Sequence, residues 1–188
     1  RRVPKRHAAS RFIRRHLRVA FALCLMALSG AMALAQAETR EGFVVSVESG
    51  DTLVIEDAAR RRLQVSLAWI SAPDRLQEHG EAARSSLNAM AAGQAVRLEN
   101  LTEANGRWQA TVWGATADSP CRSIDCRKTL DFGLAQLTRG MAWHDRRRSG
   151  QAPQALGQYE YAEFEAKIRR IGLWAGKNPV PPWHWRGR

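Results

Sequence analysis

Apolar and polar residues alternate imperfectly from Gly42 to Ile55, with Phe43, Val45 and Val47 on one side and Val44, Ser46 and Glu48 on the other. A period of two marks a strand with one buried face. Ser49-Gly50-Asp51 interrupts the run with turn residues and Thr52-Leu53-Val54-Ile55 resumes it, which predicts two strands joined by a tight turn. Arg62 to Ile70 reads as a third strand, stopped by Ala72-Pro73. Between Glu81 and Ala92, Ala82, Leu87, Met90 and Ala91 recur at helical spacings, with Gly93 as the stop. Ala95–Asn100 and Trp108–Trp113 are two further strands, separated by Asn105-Gly106. Leu130–Gly140 and Tyr159–Ile171 are predicted as the second and third helices. Five short strands, three of them consecutive, argue against a regular strand–helix alternation and for a small barrel with helices packed on it. The proline-rich tail Pro179-Val-Pro-Pro-Trp-His-Trp-Arg is expected to form no regular structure, its two tryptophans packing back on the domain.

The chain has 188 residues, 45% of them hydrophobic, which suits one packed domain. The net charge of +11 suggests a polycation until its distribution is read. Residues 1–37 hold eight of the 29 basic residues and no acidic one, leaving 21 basic against 18 acidic in the remainder. That excludes a histone-like nucleic-acid binder. The basic stretch precedes an apolar run from Val19 to Ala35 and a small-x-small site at Ala35-Gln36-Ala37, the layout of a secretory signal peptide. The run is short for a spanning helix and Ser29-Gly30 interrupts it, so cleavage after Ala37 is preferred to an anchor. The predicted organisation is a cleaved signal peptide (1–37), a folded domain (38–176) and a packed tail (177–188). The expected location is the periplasm or the medium. Cleavage removes Cys24 and leaves Cys121 and Cys126, which read as one disulfide in an oxidising compartment; the ligand count is too small for zinc.

Several motifs in order resemble the staphylococcal nuclease (thermonuclease) family: Ser49-Gly50-Asp51-Thr52, Val65 to Asp74, Asn105-Gly106-Arg107, Leu134 to Trp143, Arg170-Ile-Gly-Leu-Trp174 and the Pro-Pro-Trp-His-Trp-Arg ending. The resemblance covers roughly residues 42–188. It implies an α+β fold, a five-stranded OB-type barrel with three packed helices, in agreement with the pattern above. It also implies a calcium ion held by carboxylates, a glutamate that activates water, and two arginines that grip the phosphate. Such an arrangement suits phosphodiester hydrolysis, because hard cations and planar guanidinium forks stabilise phosphate charge.

Carried over by residue, Asp51 matches the first calcium aspartate and Arg107 one phosphate arginine. The third strand departs from the family's Val-Arg-Leu-x-x-Ile-Asp-x-Pro-Glu pattern. Ser66 replaces the other arginine, Ser71 the second calcium aspartate, and Asp74 the glutamate, so Asp74 is left as a weakened metal and catalytic carboxylate. Losing a charged donor typically costs ~10²–10³ in rate, and withdrawing a carboxylate by ~1 Å can cost ~10². Arg60–Arg62 and Arg75 are candidate relocated charges; Arg146, Arg148 and Trp108 are candidate nucleic-acid contacts. His144 is expected to be exposed. The sequence thus predicts an exported thermonuclease-like domain that binds nucleic acid or another partner with hydrolysis lost or much weakened. The alternatives are a calcium-dependent nuclease with a rearranged site and an envelope structural protein. Weak calcium binding, a monomer and no membrane contact after cleavage complete the expectation.

Overall fold

The computed structural model describes residues 39–104 and 106–185. The predicted signal peptide, Asn105 and Arg186 lie outside the described residues. Strands β1 (Arg40–Ser49), β2 (Thr52–Asp57) and β3 (Arg62–Leu67) form an antiparallel meander, and β5 (Ala95–Ala104) and β6 (Arg107–Gly114) continue it in the order β3-β2-β1-β5-β6. A parallel pairing of β3 with β6 (Val65 with Trp108, Leu67 with Ala110) closes the five strands into a barrel. Two short strands, β4 (Ile70–Ser71) and β8 (Trp143–His144), pair with each other outside it, and β7 (Leu130–Asp131) pairs antiparallel with the end of β6. Helices α1 (Gly80–Ala91), α2 (Phe132–Thr138) and α3 (Pro153–Ile168) complete the α+β fold that the hydrophobic pattern predicted.

The barrel interior is built from one side of each strand: Leu53, Ile55, Val65, Leu67, Val96, Leu98, Ala110 and Val112 are all buried. In β1 the inward residues are Val44 and Val47, while Phe43 and Val45 are exposed, which corrects the predicted faces. The cause is a bulge between Val44 and Ser46, because one extra residue transfers every later side chain to the other face. The third strand is shorter than predicted. Trp69 takes a left-handed φ of 63°, which breaks the ladder before Ile70 and turns the chain out of the barrel.

The second helix starts at Phe132, not Leu130. Asp131 is its N-cap, its Oδ1 accepting the Gly133 and Leu134 N–H groups at 2.8 and 3.2 Å. Tyr159 of α3 donates its hydroxyl to the other oxygen at 2.7 Å, tying α2 to α3. Burial pushes the Asp131 carboxyl above its ordinary range despite these donors. The third helix begins six residues earlier than predicted, with Pro153 at its first position, where a proline costs no hydrogen bond. Gly172–Ala175 is a 3₁₀ turn at the end of the domain, and the tail is more ordered than predicted, with Pro182–Trp185 a helical turn, α4, again opened by a proline. Cys121 and Cys126 form the expected disulfide. Its loop is fastened to the barrel by Gln94, whose side chain accepts from the Ala115 and Cys121 amides and donates to the Met90 carbonyl.

Candidate active site

The tight turn between β1 and β2 places Asp51 at one end of the barrel, and buried groups hold it there. Gly50 packs so closely on Ala72 and Ala83 that a Cβ would lie 2.5–2.7 Å from theirs. Buried Gln136 of α2 donates to the Gly50 carbonyl at 2.7 Å and to the Ala83 carbonyl at 3.0 Å. The Asp51 carboxylate is buried and well supplied with donors. Its Oδ1 accepts from Ser49 Oγ (2.7 Å) and Thr52 Oγ1 (3.0 Å), and its Oδ2 accepts the Ala72 N–H (2.8 Å). The last bond draws the segment after β4 onto the turn, so Asp51 and the Ser71–Asp74 stretch share one end of the fold.

Ser66 sits in the centre of a three-strand row. It pairs with Thr52 of β2 on one side and Gln109 of β6 on the other, its hydroxyl 3.5 Å from that of Thr52. Its neighbours Val65 and Leu67 point into the core, so Ser66 faces outward. Arg107, two residues before Gln109, lies on the same outer face and is exposed. The barrel thus brings together the position the resemblance assigns to one phosphate arginine, now a serine, and the arginine that remains. The sequence does not single out Gln109, and Ser49 and Thr52 read there as turn and motif residues without a role in the site. The strand period puts Gln109 beside Arg107, and Ser49 and Thr52 flank Asp51 in the turn, so the signals were there.

Ser71 is buried in β4 opposite Trp143. Asp74 is half-buried at the start of two consecutive turns: the Gln77 N–H donates to the Asp74 carbonyl and the Gly80 N–H to the Gln77 carbonyl, both at 2.9 Å. Its Oδ1 accepts the Arg75 N–H at 3.0 Å, and its own N–H donates to Gln77 Oε1 at 3.2 Å.

These donors do not fit the calcium cage that the resemblance implies. Three of the four lone-pair positions of Asp51 are taken, and the second ligand position is a serine hydroxyl. Among the described residues, no group of three or more His, Cys, Asp and Glu side chains is placed to share an ion.

Of the candidate relocated arginines, Arg75 is exposed beside Asp74, whereas Arg60, Arg61 and Arg62 are engaged elsewhere. Arg60 and Arg62 pair with Glu56 at 2.7 and 3.7 Å, and Arg61 with Asp57 at 2.8 Å. Arg62 is four strand residues, roughly 13 Å, from Ser66. Trp108 points away from Arg107, packing against the core with the Arg40 guanidinium 5.5 Å from its ring. Arg146 binds Glu160 and Glu163, both at 3.1 Å, and Arg148 binds Asp145 at 3.2 Å. This basic run is therefore largely neutralised within the protein. Burial pushes the Asp145 and Glu163 carboxyls up, but hydrogen bonds and charges from Arg147, Arg148, Lys167 and Arg146 outweigh it and hold both below their ordinary values. His144, expected at the surface, is buried, its Nε2 2.9 Å from Gln151 Oε1 and its backbone N–H donating to Glu163. A groove of about 650 Å³ beside Phe43 and Ile124 takes in Arg60 and Arg61 but not Asp51, Ser66, Asp74 or Arg107.

The model of the family described as staphylococcal nuclease homologue matches residues 64–176, more than half of the chain. "Protein ParB" of Escherichia coli is 34% identical over 172 residues, covering 90% of each chain. "Micrococcal nuclease" of Shigella flexneri is 32% identical over 147 residues, covering 77% of this chain and 79% of its own. An "Uncharacterized endonuclease" of Haemophilus influenzae is 28% identical over 143 residues, covering 76% of this chain and 71% of its own. Barrel, turn and relatives lead to one conclusion: the chain belongs to the staphylococcal nuclease family.

Proposed function

We propose that the protein is an exported nuclease that hydrolyses nucleic-acid phosphodiester bonds slowly, through a rearranged and less charged version of the family's site. The observation that carries the reading is the outer row Thr52–Ser66–Gln109 with Arg107 beside it, at the barrel end where Asp51 anchors the segment leading to Asp74. In this reading Arg107 grips the phosphate with its fork. Neutral donors at Ser66 and Gln109 supply hydrogen bonds where the family pattern has a second guanidinium, while the Thr52 hydroxyl stays on Asp51. Asp74 accepts a proton from the attacking water. Asp51 serves mainly to hold the turn and the Ala72 amide in register. No step is assigned to a metal, because the donor set does not form a cage for one.

A second reading, nucleic-acid binding without hydrolysis, is favoured by one feature: the three residues of the row, Thr52, Ser66 and Gln109, are uncharged. Arg107→Ala separates the two. The residue is exposed, so the fold should survive its removal. Cleavage of single-stranded DNA, double-stranded DNA and RNA is measured with calcium and with EDTA. The nuclease reading predicts measurable cleavage by the natural chain and a loss of roughly 10²-fold in the variant. Binding without any cleavage would replace it with the second reading.

A further inference from the structure

We propose that the C-terminal segment 176–185 is a strap that fixes Trp69–Gly80, the stretch bearing Ser71 and Asp74, and that Gln77 is the positioning residue through which the strap reaches Asp74. The catalytic consequence rests on the nuclease reading; the strap itself does not.

Three lines of contact run from the tail to this stretch. The first is Gln77, whose side chain is buried. Its Oε1 accepts the Asp74 N–H at 3.2 Å while its Nε2 donates to the Val180 carbonyl. The two ends of this amide cannot be exchanged, since a flip would set donor against donor and acceptor against acceptor. One side chain therefore joins the backbone of the catalytic carboxylate to the tail. The second line runs through Trp183, which meets Trp143 edge-on with ring centroids 6.4 Å apart; Trp174 meets the same indole at 5.6 Å. Trp143 is the strand partner of Ser71. The third line also starts at Trp183. The Arg147 guanidinium lies 4.2 Å from its ring centroid and grips both Asp145 oxygens at 2.8 Å. The Asp145 N–H then donates to the Trp69 carbonyl at 2.8 Å.

The contacts thus end at residues 69, 71 and 74. Residues 72–79 belong to no helix or strand, so the ordering of Asp74 depends on such side-chain ties. The tail is suited to supplying them. Pro179, Pro181 and Pro182 restrict its free conformations and lower the entropy lost on docking. It closes over a cavity of about 120 Å³ lined by Gln77, His79, Trp143, Leu173, Val180 and Trp185.

Hydrogen exchange on the full chain tests the strap without reference to activity. Gln77→Ala and Trp183→Ala should each speed exchange across residues 70–80 by about tenfold and leave β5 and β6 unchanged. Trp183→Phe keeps a ring against Trp143 and Arg147 and should behave as the natural chain. On single-stranded DNA, Gln77→Ala should lower kcat by roughly 10–100-fold with KM nearly unchanged, because Arg107 is untouched. Unchanged exchange at 70–80 in both alanine variants overturns the strap, whatever the activity. Faster exchange with an unchanged kcat overturns the positioning role of Gln77. If the natural chain cleaves nothing, the nuclease reading fails and exchange alone decides the strap.

Discussion

Asp51 illustrates how one residue can carry a functional signature and a structural duty together. The resemblance marks it as a metal aspartate, while the structure gives its oxygens three internal donors. Asp51→Ala would leave the buried Ala72 amide without an acceptor, and urea denaturation should show a loss of about 1–3 kcal/mol. Lost activity in that variant would therefore say little about metal binding, which makes Arg107 the better probe of chemistry. Glu163 offers a second test at this scale. Its folded carboxyl lies below the ordinary 4.5, so its stabilising effect is full above that value and disappears as pH falls through the lower folded value. Glu163→Gln should cost about 1–3 kcal/mol at pH 7, and denaturation at successively lower pH should show the gap to the natural chain closing. A constant gap would contradict the ion-pair account. Residue identity alone singled out Asp51, Arg107 and the three departures at Ser66, Ser71 and Asp74 as candidates. It could not reveal that Arg146 is paired, because Glu160 and Glu163 meet it only through the packing of α3, whereas the partner of Arg148, Asp145, lies three residues away in the sequence.

At the scale of elements, the five barrel strands and the three helices were legible because each follows its hydrophobic period. The errors fall where a single residue interrupts that period. The bulge at Val44–Ser46 and the left-handed turn at Trp69 leave no compositional mark, since neither residue type demands the conformation seen. Pro153 and Asp131 did carry start signals, and the helices begin accordingly. The turn pair preceding α1 positions Asp74, and it depends on Gly80, where a Cβ would lie 2.0 Å from the Asp74 carbonyl oxygen. Gly80→Ala must displace that backbone. Thermal denaturation should register roughly 1–3 kcal/mol of destabilisation, and cleavage should fall more than in a substitution on the exposed face of α1. Retained stability and activity would show that Asp74 tolerates the shift.

The whole molecule separates stability from chemistry along β1. Its first residues adjoin the disulfide loop, where buried Lys128 pairs with Glu41 at 3.1 Å. Its last residues lead into the Asp51 turn at the other end. Replacing both Cys121 and Cys126 by alanine should cost about 2 kcal/mol, as expected for so short a loop, with cleavage unchanged at a temperature where both forms are folded. A selective loss of activity would mean that the two ends are coupled. The barrel keeps the site's framework while the charge that the family pattern carries is lost at Ser66 and Ser71 and its carboxylate is shortened at Asp74, and that combination is the central claim. It is tested most directly by comparing the natural chain with a variant carrying Ser66→Arg, Ser71→Asp and Asp74→Glu, on single-stranded DNA with calcium. The account predicts slow but measurable cleavage by the natural chain and a rate at least ~10²-fold higher in the variant. Equal rates in two folded proteins would show that the barrel no longer presents these positions to a phosphate.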